Sequence, residues 1–328
     1  MQKPSIFKYA TSELSQDAII CYILEWAKIE NKKENKQLHN LAINFIDSLF
    51  EKFVNIKKPL KYEKIDIKKQ YKNIDVLCII NDKYSIIIED KTNTKNHSNQ
   101  LKRYFDKVKV NFSDTEILPI YFKTGDQSNY ENVIENGYKL YLREDFLKVL
   151  KLHITNNDIL DDYTNYLQDI DNSIKSYQIL PITQWHYNSW KGFFIELREN
   201  LNDSNWDYVS NARGGFLGFW WNWNSNDEYH IYLQIDHSIK KITFKLYTKT
   251  ETKIEKSIIN KWKKAIAYNK NELTVKKPQV VRTGKSVTIG ILENEFRMTN
   301  DDGIIDMNKT IDFIHNIEDI KMEKFKNI

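Results

Sequence analysis

Asp75, Glu89 and Lys91 are spaced so that two carboxylates and one ammonium can meet on one face of a β-sheet. They sit in two short apolar runs, IDVLCII and YSIIIED, separated by Asn81-Asp82-Lys83, a sequence suited to a tight hairpin. Pairing Ile80 with Tyr84 sets a register in which Asp75 lies opposite Glu89, with Cβ atoms about 4.5–5.5 Å apart. Lys91, two residues beyond Glu89, falls on the same face by strand alternation. That face runs back through Leu77, Ile79, Ser85 and Ile87, which offer little solvation. Two carboxylates this close raise each other's proton affinity unless a cation lies between them. A hard divalent ion such as Mg²⁺ suits the set, since it takes oxygen ligands and usually binds through one or two carboxylates plus phosphate. The main-chain carbonyl of Asp90 is a further oxygen donor, and Lys91 is placed to orient water or to stabilise charge on a phosphate. A one-residue change of turn would break this register. The competing reading of the same residues is a structural ion-pair cluster.

The flanking elements must hold these residues in place. Ser12 or Thr11 caps a helix starting near Glu13, with Leu14, Ala18, Cys21, Tyr22 and Trp26 at helical spacing. A second helix carries Leu38, Leu41, Ala42, Phe45, Ile46 and Leu49 inward. KYEKIDIKK alternates as a strand with a basic outer face, and the two runs above follow as strands apolar on both faces. A polar loop leads into a helix from about Asn99 to Lys109, then EILPIYFKT and YKLYL read as strands. This order predicts an α/β sandwich around a mixed sheet. An acidic helix over 157–175 points Ile159, Tyr163, Tyr166, Leu167 and Ile170 inward, and a domain boundary follows near Tyr177, giving units 1–176 and 177–328. The second unit reads as a smaller α+β domain: a helix from Trp185, strands GGFLGFWWNW, YHIYLQID and KITFKLYTK, a basic helix, a short strand and a last helix. In the basic helix Ile254, Ile258, Trp262 and Ile266 form the inner stripe. Lys253, Lys256, Lys261, Lys263 and Lys264 are left for solvent or for phosphates, with Lys256, Lys263 and Lys264 the chosen nucleic-acid contacts. Phe219, Trp220, Trp221 and Trp223 are read mainly as packing, with base stacking as the alternative.

Composition restricts the remaining possibilities. With 41% hydrophobic and 29% charged residues in 328, the chain has the balance of a globular protein with a sizeable core. No apolar run is long enough to span a bilayer, and MQKPSIFKYATSE lacks the pattern of a secretory signal, so a cytoplasmic protein is expected. Cys21 and Cys78 lie in apolar runs and read as core residues, without a disulfide or zinc framework. The net charge of +4 is uneven: residues 240–285 hold 14 Lys/Arg against 3 acids, a local excess of +11 that suits an anion-binding surface. Gly284-Lys285-Ser286 lacks the earlier glycine of a phosphate-binding loop, Gln279 standing in its place. His97 and His315 read as ordinary surface residues. Asp66-Ile67-Lys68 mimics the acid–lysine pattern but has no second acid opposite it.

Asp75, thirteen residues, then Glu89-Asp90-Lys91 resembles the signature of the PD-(D/E)XK nuclease superfamily over roughly residues 5–150. The opening ATSELSQDAIICYILEWA is similar to a bacterial branch, where an acid on the first helix, here Glu13, helps hold metal. Asp17, one turn later, either reaches the site or serves the first turn of the helix. Gln100 and Tyr104 match a Gln-x-x-x-Tyr pattern that supports such sites, and Tyr104 is grouped with the nucleic-acid contacts. Asn73-Ile74 stands where the name-giving proline would be, a variable position. The resemblance implies a restriction-endonuclease-like sheet flanked by helices and Mg²⁺-dependent hydrolysis of phosphodiesters, with Mn²⁺ substituting. Catalytic roles then fall to Asp75, Glu89, Lys91 and Gln100, and metal ligation to Asp75, Glu89, Asp90 and Glu13. DNA is favoured over RNA, in phage defence or restriction, with a homodimer or a defence-complex partner. The alternative is an inactive nucleic-acid- or partner-binding protein on the same fold.

Overall fold

The structure, a computed structural model, describes residues 4–96, 99–211, 214–270, 273–280 and 282–325. It divides into two compact units, Met1–Asp171 and Asn172–Ile328, and the division falls inside one long helix.

In the first unit α1 (Glu13–Trp26) starts at Ser12, whose Oγ accepts the Ser15 N–H at 3.3 Å. Asn35 caps α2 (Lys36–Phe50) by accepting the N–H groups of Gln37 and Leu38. There follow β1 (Ile65–Tyr71), β2 (Ile74–Ile80), β3 (Tyr84–Lys91), α3 (Gln100–Asn111), β4 (Glu116–Lys123), α4 (Glu131–Glu135), β5 (Lys139–Leu142), α5 (Arg143–Leu150) and α6 (Asp158–Lys175). The sheet order is β1-β2-β3-β4-β5, antiparallel up to β3 and parallel from β3 to β5. Because β2 and β3 are apolar on both faces, both faces must be covered. Val76, Cys78, Ile86, Ile88 and Phe122 pack with α1, α2, α5 and α6. Leu77, Ile79, Ile87 and Tyr121 pack with Leu101, Tyr104 and Val108 of α3. The hairpin register is the expected one, from Ile80↔Tyr84 to Val76↔Ile88. Its turn is left-handed at Asn81 and Asp82, both at φ 53°, a conformation these two residues tolerate. The Asn81 side chain also accepts the N–H groups of Glu63 and Lys64, tying the hairpin to the start of β1.

Two expectations need correcting here. Ile159 is 48% exposed, and Leu160 takes its place in the core, so the buried stripe of α6 starts one residue later. The helix α5 was not anticipated, although Phe146, Leu147, Val149 and Leu150 have helical spacing and the Asp145 carboxylate accepts the Leu142 N–H at its start.

The second unit holds α7 (Tyr187–Asn200), β6 (Asn205–Asn211), β7 (Gly214–Ser225), β8 (Tyr229–Asp236), β9 (Lys241–Thr248), α8 (Lys256–Ile266), β10 (Tyr268–Lys270), β11 (Leu273–Lys276), β12 (Ser286–Leu292) and α9 (Met307–Phe325). Its strands form one antiparallel sheet in the order β10-β11-β12-β9-β8-β7-β6. Phe219 and Trp221 are fully buried against helices of the same core, whereas Trp223 is 40% exposed. The inner stripe of α8 also differs from expectation: Ile259 is buried and Ile258 only partly so. Among the described residues no helix is long and apolar enough to cross a membrane.

Candidate active site

The ends of β2 and β3 bring the acid pair together, and α1 adds a third carboxylate. The Lys91 ammonium lies 2.6 Å from Glu89 Oε1 and 3.8 Å from both Asp75 Oδ2 and Glu13 Oε2. It also donates to the Asp90 carbonyl at 2.9 Å. Each acid has its own anchor. Asp75 Oδ2 accepts the Asp90 N–H at 2.9 Å, and its Oδ1 accepts from Gln70 Nε2 at 3.2 Å. Glu13 Oε1 accepts from the Thr92 N–H at 3.2 Å and from the Thr94 hydroxyl at 2.5 Å. Glu89 Oε1 accepts from Gln100 Nε2 at 2.7 Å, and that amide also reaches the Tyr104 hydroxyl at 3.1 Å.

Glu89 has no solvent exposure, and its Oε2 has no hydrogen-bond partner. Burial, reinforced by the charge of Asp75, raises its carboxyl to about 8. Burial alone would lower the Lys91 ammonium, but Glu89 and the other acids outweigh it and the net direction is upward. Lys91 therefore remains a cation packed among acids. On the opposite face of β3 the Asp90 side chain is fully buried and accepts from Gln16 Nε2. Gln16 Oε1 in turn accepts from the hydroxyls of Thr124, at 2.6 Å, and Tyr163, at 3.1 Å. Burial pushes the Asp90 carboxyl well above the usual carboxylate range, with Asp17 adding to the effect. This second layer fixes α1 against β3 and so fixes Glu13.

The donor set accepts a hard cation: carboxylate oxygens, one main-chain carbonyl and a buried oxygen without a partner. Among the described residues no three His, Cys, Asp or Glu side chains already converge as a metal cage. In this pocket the Lys91 ammonium stands between the carboxylates, which is how they tolerate each other.

Glu13, Asp75, Glu89, Lys91 and Gln100 thus share one cluster, which Asp90 joins through its main-chain N–H and carbonyl. Asp17 is also buried beside it, its Oδ2 accepting from Gln70 Nε2 at 3.0 Å. Tyr104 corrects an expectation: it is buried behind Gln100 and does not present its ring as a nucleic-acid contact. Lys263 is a second correction, being buried with its ammonium donating to the Pro278 carbonyl at 2.5 Å. It lies next to Trp262, on the side of α8 that turns inward. Lys256 and Lys264 are exposed, as is Lys261. The Asp66–Lys68 pair closes on itself at 2.6 Å at the surface. His315 pairs with Glu318, and His97 lies outside the described residues. Gln16, Gln70, Thr92, Thr94 and Lys123 were missed. Lys123, opposite Lys91 on β4, is buried and donates to the Thr94 carbonyl, and burial lowers its ammonium to about 8. Only Gln16 had a local signal, one helical turn from Glu13.

A family model described as the PD-(D/E)XK nuclease superfamily matches residues 6–207, well over half of the chain. The match takes in every pocket residue and runs past Asp171, beyond the span that the motifs alone suggested. No curated protein and no solved structure matches the chain significantly.

Proposed function

This chain belongs to the PD-(D/E)XK nuclease superfamily, and from that premise we propose that Asp75, Glu89 and Lys91 form a divalent-metal-dependent centre that hydrolyses nucleic-acid phosphodiesters. One observation carries the reading: a fully buried Glu89 with one oxygen on Lys91 and the other unpartnered, beside Asp75. A carboxyl kept dry in this way, beside Asp75, holds its proton up to about pH 8, and a second cation next to Lys91 is what would draw it off.

Asp75 and Glu89 are the principal metal ligands, with Glu13 and the Asp90 carbonyl as further oxygen donors. The ion, Mg²⁺ or Mn²⁺, supplies Lewis-acid polarisation of the phosphate and a bound water of lowered pKa. Lys91 contributes fixed positive charge where negative charge builds on the phosphate oxygens. Gln100, steadied by Tyr104, holds the Glu89 carboxylate in one orientation, and the Asp90 N–H does the same for Asp75. Thr92 and Thr94 keep Glu13 turned towards Lys91. DNA is the favoured polymer and removal of foreign DNA the favoured setting, both following from the family resemblance.

Metal binding has a signature independent of turnover. Glu89 must lose its proton to act as a ligand, so affinity for Mg²⁺ or Mn²⁺ rises as pH increases from about 6 to 8. Either ion should raise the melting temperature of the wild type, more strongly at pH 8 than at pH 6. Asp75→Ala should abolish that shift while the protein still melts cooperatively. An equal shift in Asp75→Ala would place the ion elsewhere and leave the inactive-fold reading in its place.

A further inference from the structure

The sheet of the second unit is amphipathic in an unusual sense. Leu217, Phe219, Leu233, Phe244 and Leu246 belong to a core shared with the helices α7, α8 and α9. The alternate residues of β8 and β9 point to the other face, and there the sheet carries rings, Lys245 and, at one end, the cross-strand pair Asp236 and Lys241. His230 pairs with Tyr247 across the strands, and Tyr232 pairs with Lys245. The bulge of β7 between Trp221 and Asn224 brings Trp223 onto Tyr232, their rings stacked at 4.1 Å and 16°. His230 stands edge-on to Trp223 at 5.9 Å and lies 6.0 Å from Tyr247, so the rings form one continuous run. Trp223 is 40% and Tyr247 36% exposed, large values for such rings on a sheet. Lys245 donates to the Thr288 hydroxyl at 3.1 Å; burial lowers its ammonium, and the charge of Asp236 acts against that.

We propose that this face binds single-stranded nucleic acid, with bases stacked on Trp223 and Tyr247 and a phosphate drawn to Lys245. Aromatic faces hold any base whose own face is free, which a duplex does not offer. A lysine set beside a hydroxyl, with the charge of Asp236 acting on it but no ion pair formed among the described residues, suits an anion. Neutral sugar polymers also stack on aromatic rings, but they give Lys245 no counterion. The excess of +11 over residues 240–285 acts in the same direction at longer range. The choice of polymer rests on the nuclease reading; the stacking geometry does not. The helix α8, where the phosphate contacts were first expected, loses Lys263 to the interior, while β9 supplies Lys245 in the middle of the rings.

The test uses the full-length protein in chelator, so that binding is measured without cleavage. Fluorescently labelled oligothymidylate and oligouridylate are titrated with wild type, Trp223→Ala, Tyr247→Ala and Lys245→Gln. Binding should quench tryptophan fluorescence in the wild type. Each ring substitution should weaken affinity about five- to hundredfold. Lys245→Gln should flatten the slope of log affinity against log salt by about 0.7. Wild-type affinity in both ring variants would overturn the proposal, as would quenching by a neutral oligosaccharide in place of the oligonucleotides. Cleavage by the wild type in Mg²⁺ is recorded separately. Its absence, with binding still dependent on Trp223, would defeat the nuclease reading alone, and its presence with unchanged ring variants would defeat this inference alone.

Discussion

Asp17 is a residue the pocket keeps at the expense of stability. It is 1% exposed, and burial together with Asp75 raises its carboxyl to about 6 against the hydrogen bonds with Gln70 and Asp90 that lower it. A carboxyl whose folded pKa lies above its ordinary value favours folding while protonated. Its contribution is complete below pH 3.8 and is lost as pH rises through about 6. Asp17→Asn should therefore melt close to wild type near pH 3.5 and be stabilised by about 1–2 kcal/mol at pH 8. A gain of the same size at both pH values would show that charge is not the cause. Residues like this mark the limit of what the sequence conveys. Asp75, Glu89 and Lys91 can be placed on one face because strand alternation and a short turn are local properties. The contacts Gln70–Asp17, Thr94–Glu13 and Gln16–Asp90 join residues 53, 81 and 74 positions apart, and no local pattern encodes them. Gln70 also needs a left-handed backbone, φ 54°, to direct its amide at both Asp17 and Asp75.

At the level of elements, the exits of β3 and β4 must pass very close to each other for the pocket to exist. Gly125, two residues beyond β4, lies so near the Thr92 carbonyl that a Cβ there would meet its oxygen at 2.1 Å. Thr92 carries the N–H that anchors Glu13. Gly125→Ala should push that strand end away, lower stability by about 1–3 kcal/mol and weaken the metal-induced rise in melting temperature. Unchanged melting with and without metal would show that the approach is not needed. The hairpin β2–β3, the cap of α1 and both covering layers of the sheet were readable because each depends on residue type and period. One member of each inner stripe of α6 and α8 was misplaced, Ile159 for Leu160 and Ile258 for Ile259, while Tyr163, Leu167, Trp262 and Ile266 are buried as expected. A helix rotates by roughly 100° per residue, so a broad apolar stripe defines its inner face only to within one position. Lys263 was misplaced for a related reason: its aliphatic stem can lie inward provided the ammonium finds a carbonyl, here that of Pro278.

For the whole molecule, we propose different parts of one task for the two units. The first has the acids and Lys91, held by two layers of hydrogen bonds; the second has an exposed run of rings around a cation. The family match covers the first unit and continues into the second, as far as residue 207 in β6. Strands β7 to β12, which build the ring-bearing face, lie beyond it. The proposed nuclease centre stands or falls on Glu89, the buried side chain that Lys91 and Gln100 both hold and that would ligate the metal. The most direct measurement is cleavage of single- and double-stranded DNA and RNA by wild type and Glu89→Ala side by side, across a Mg²⁺ titration and in chelator. The wild type should cut at least one of these substrates, DNA first, only when the ion is present. Glu89→Ala should lose at least about a hundredfold in rate, the few kcal/mol expected when transition-state charge loses its stabiliser, while its circular dichroism remains native. Wild-type turnover by Glu89→Ala, or cleavage that persists in chelator, would contradict the assignment.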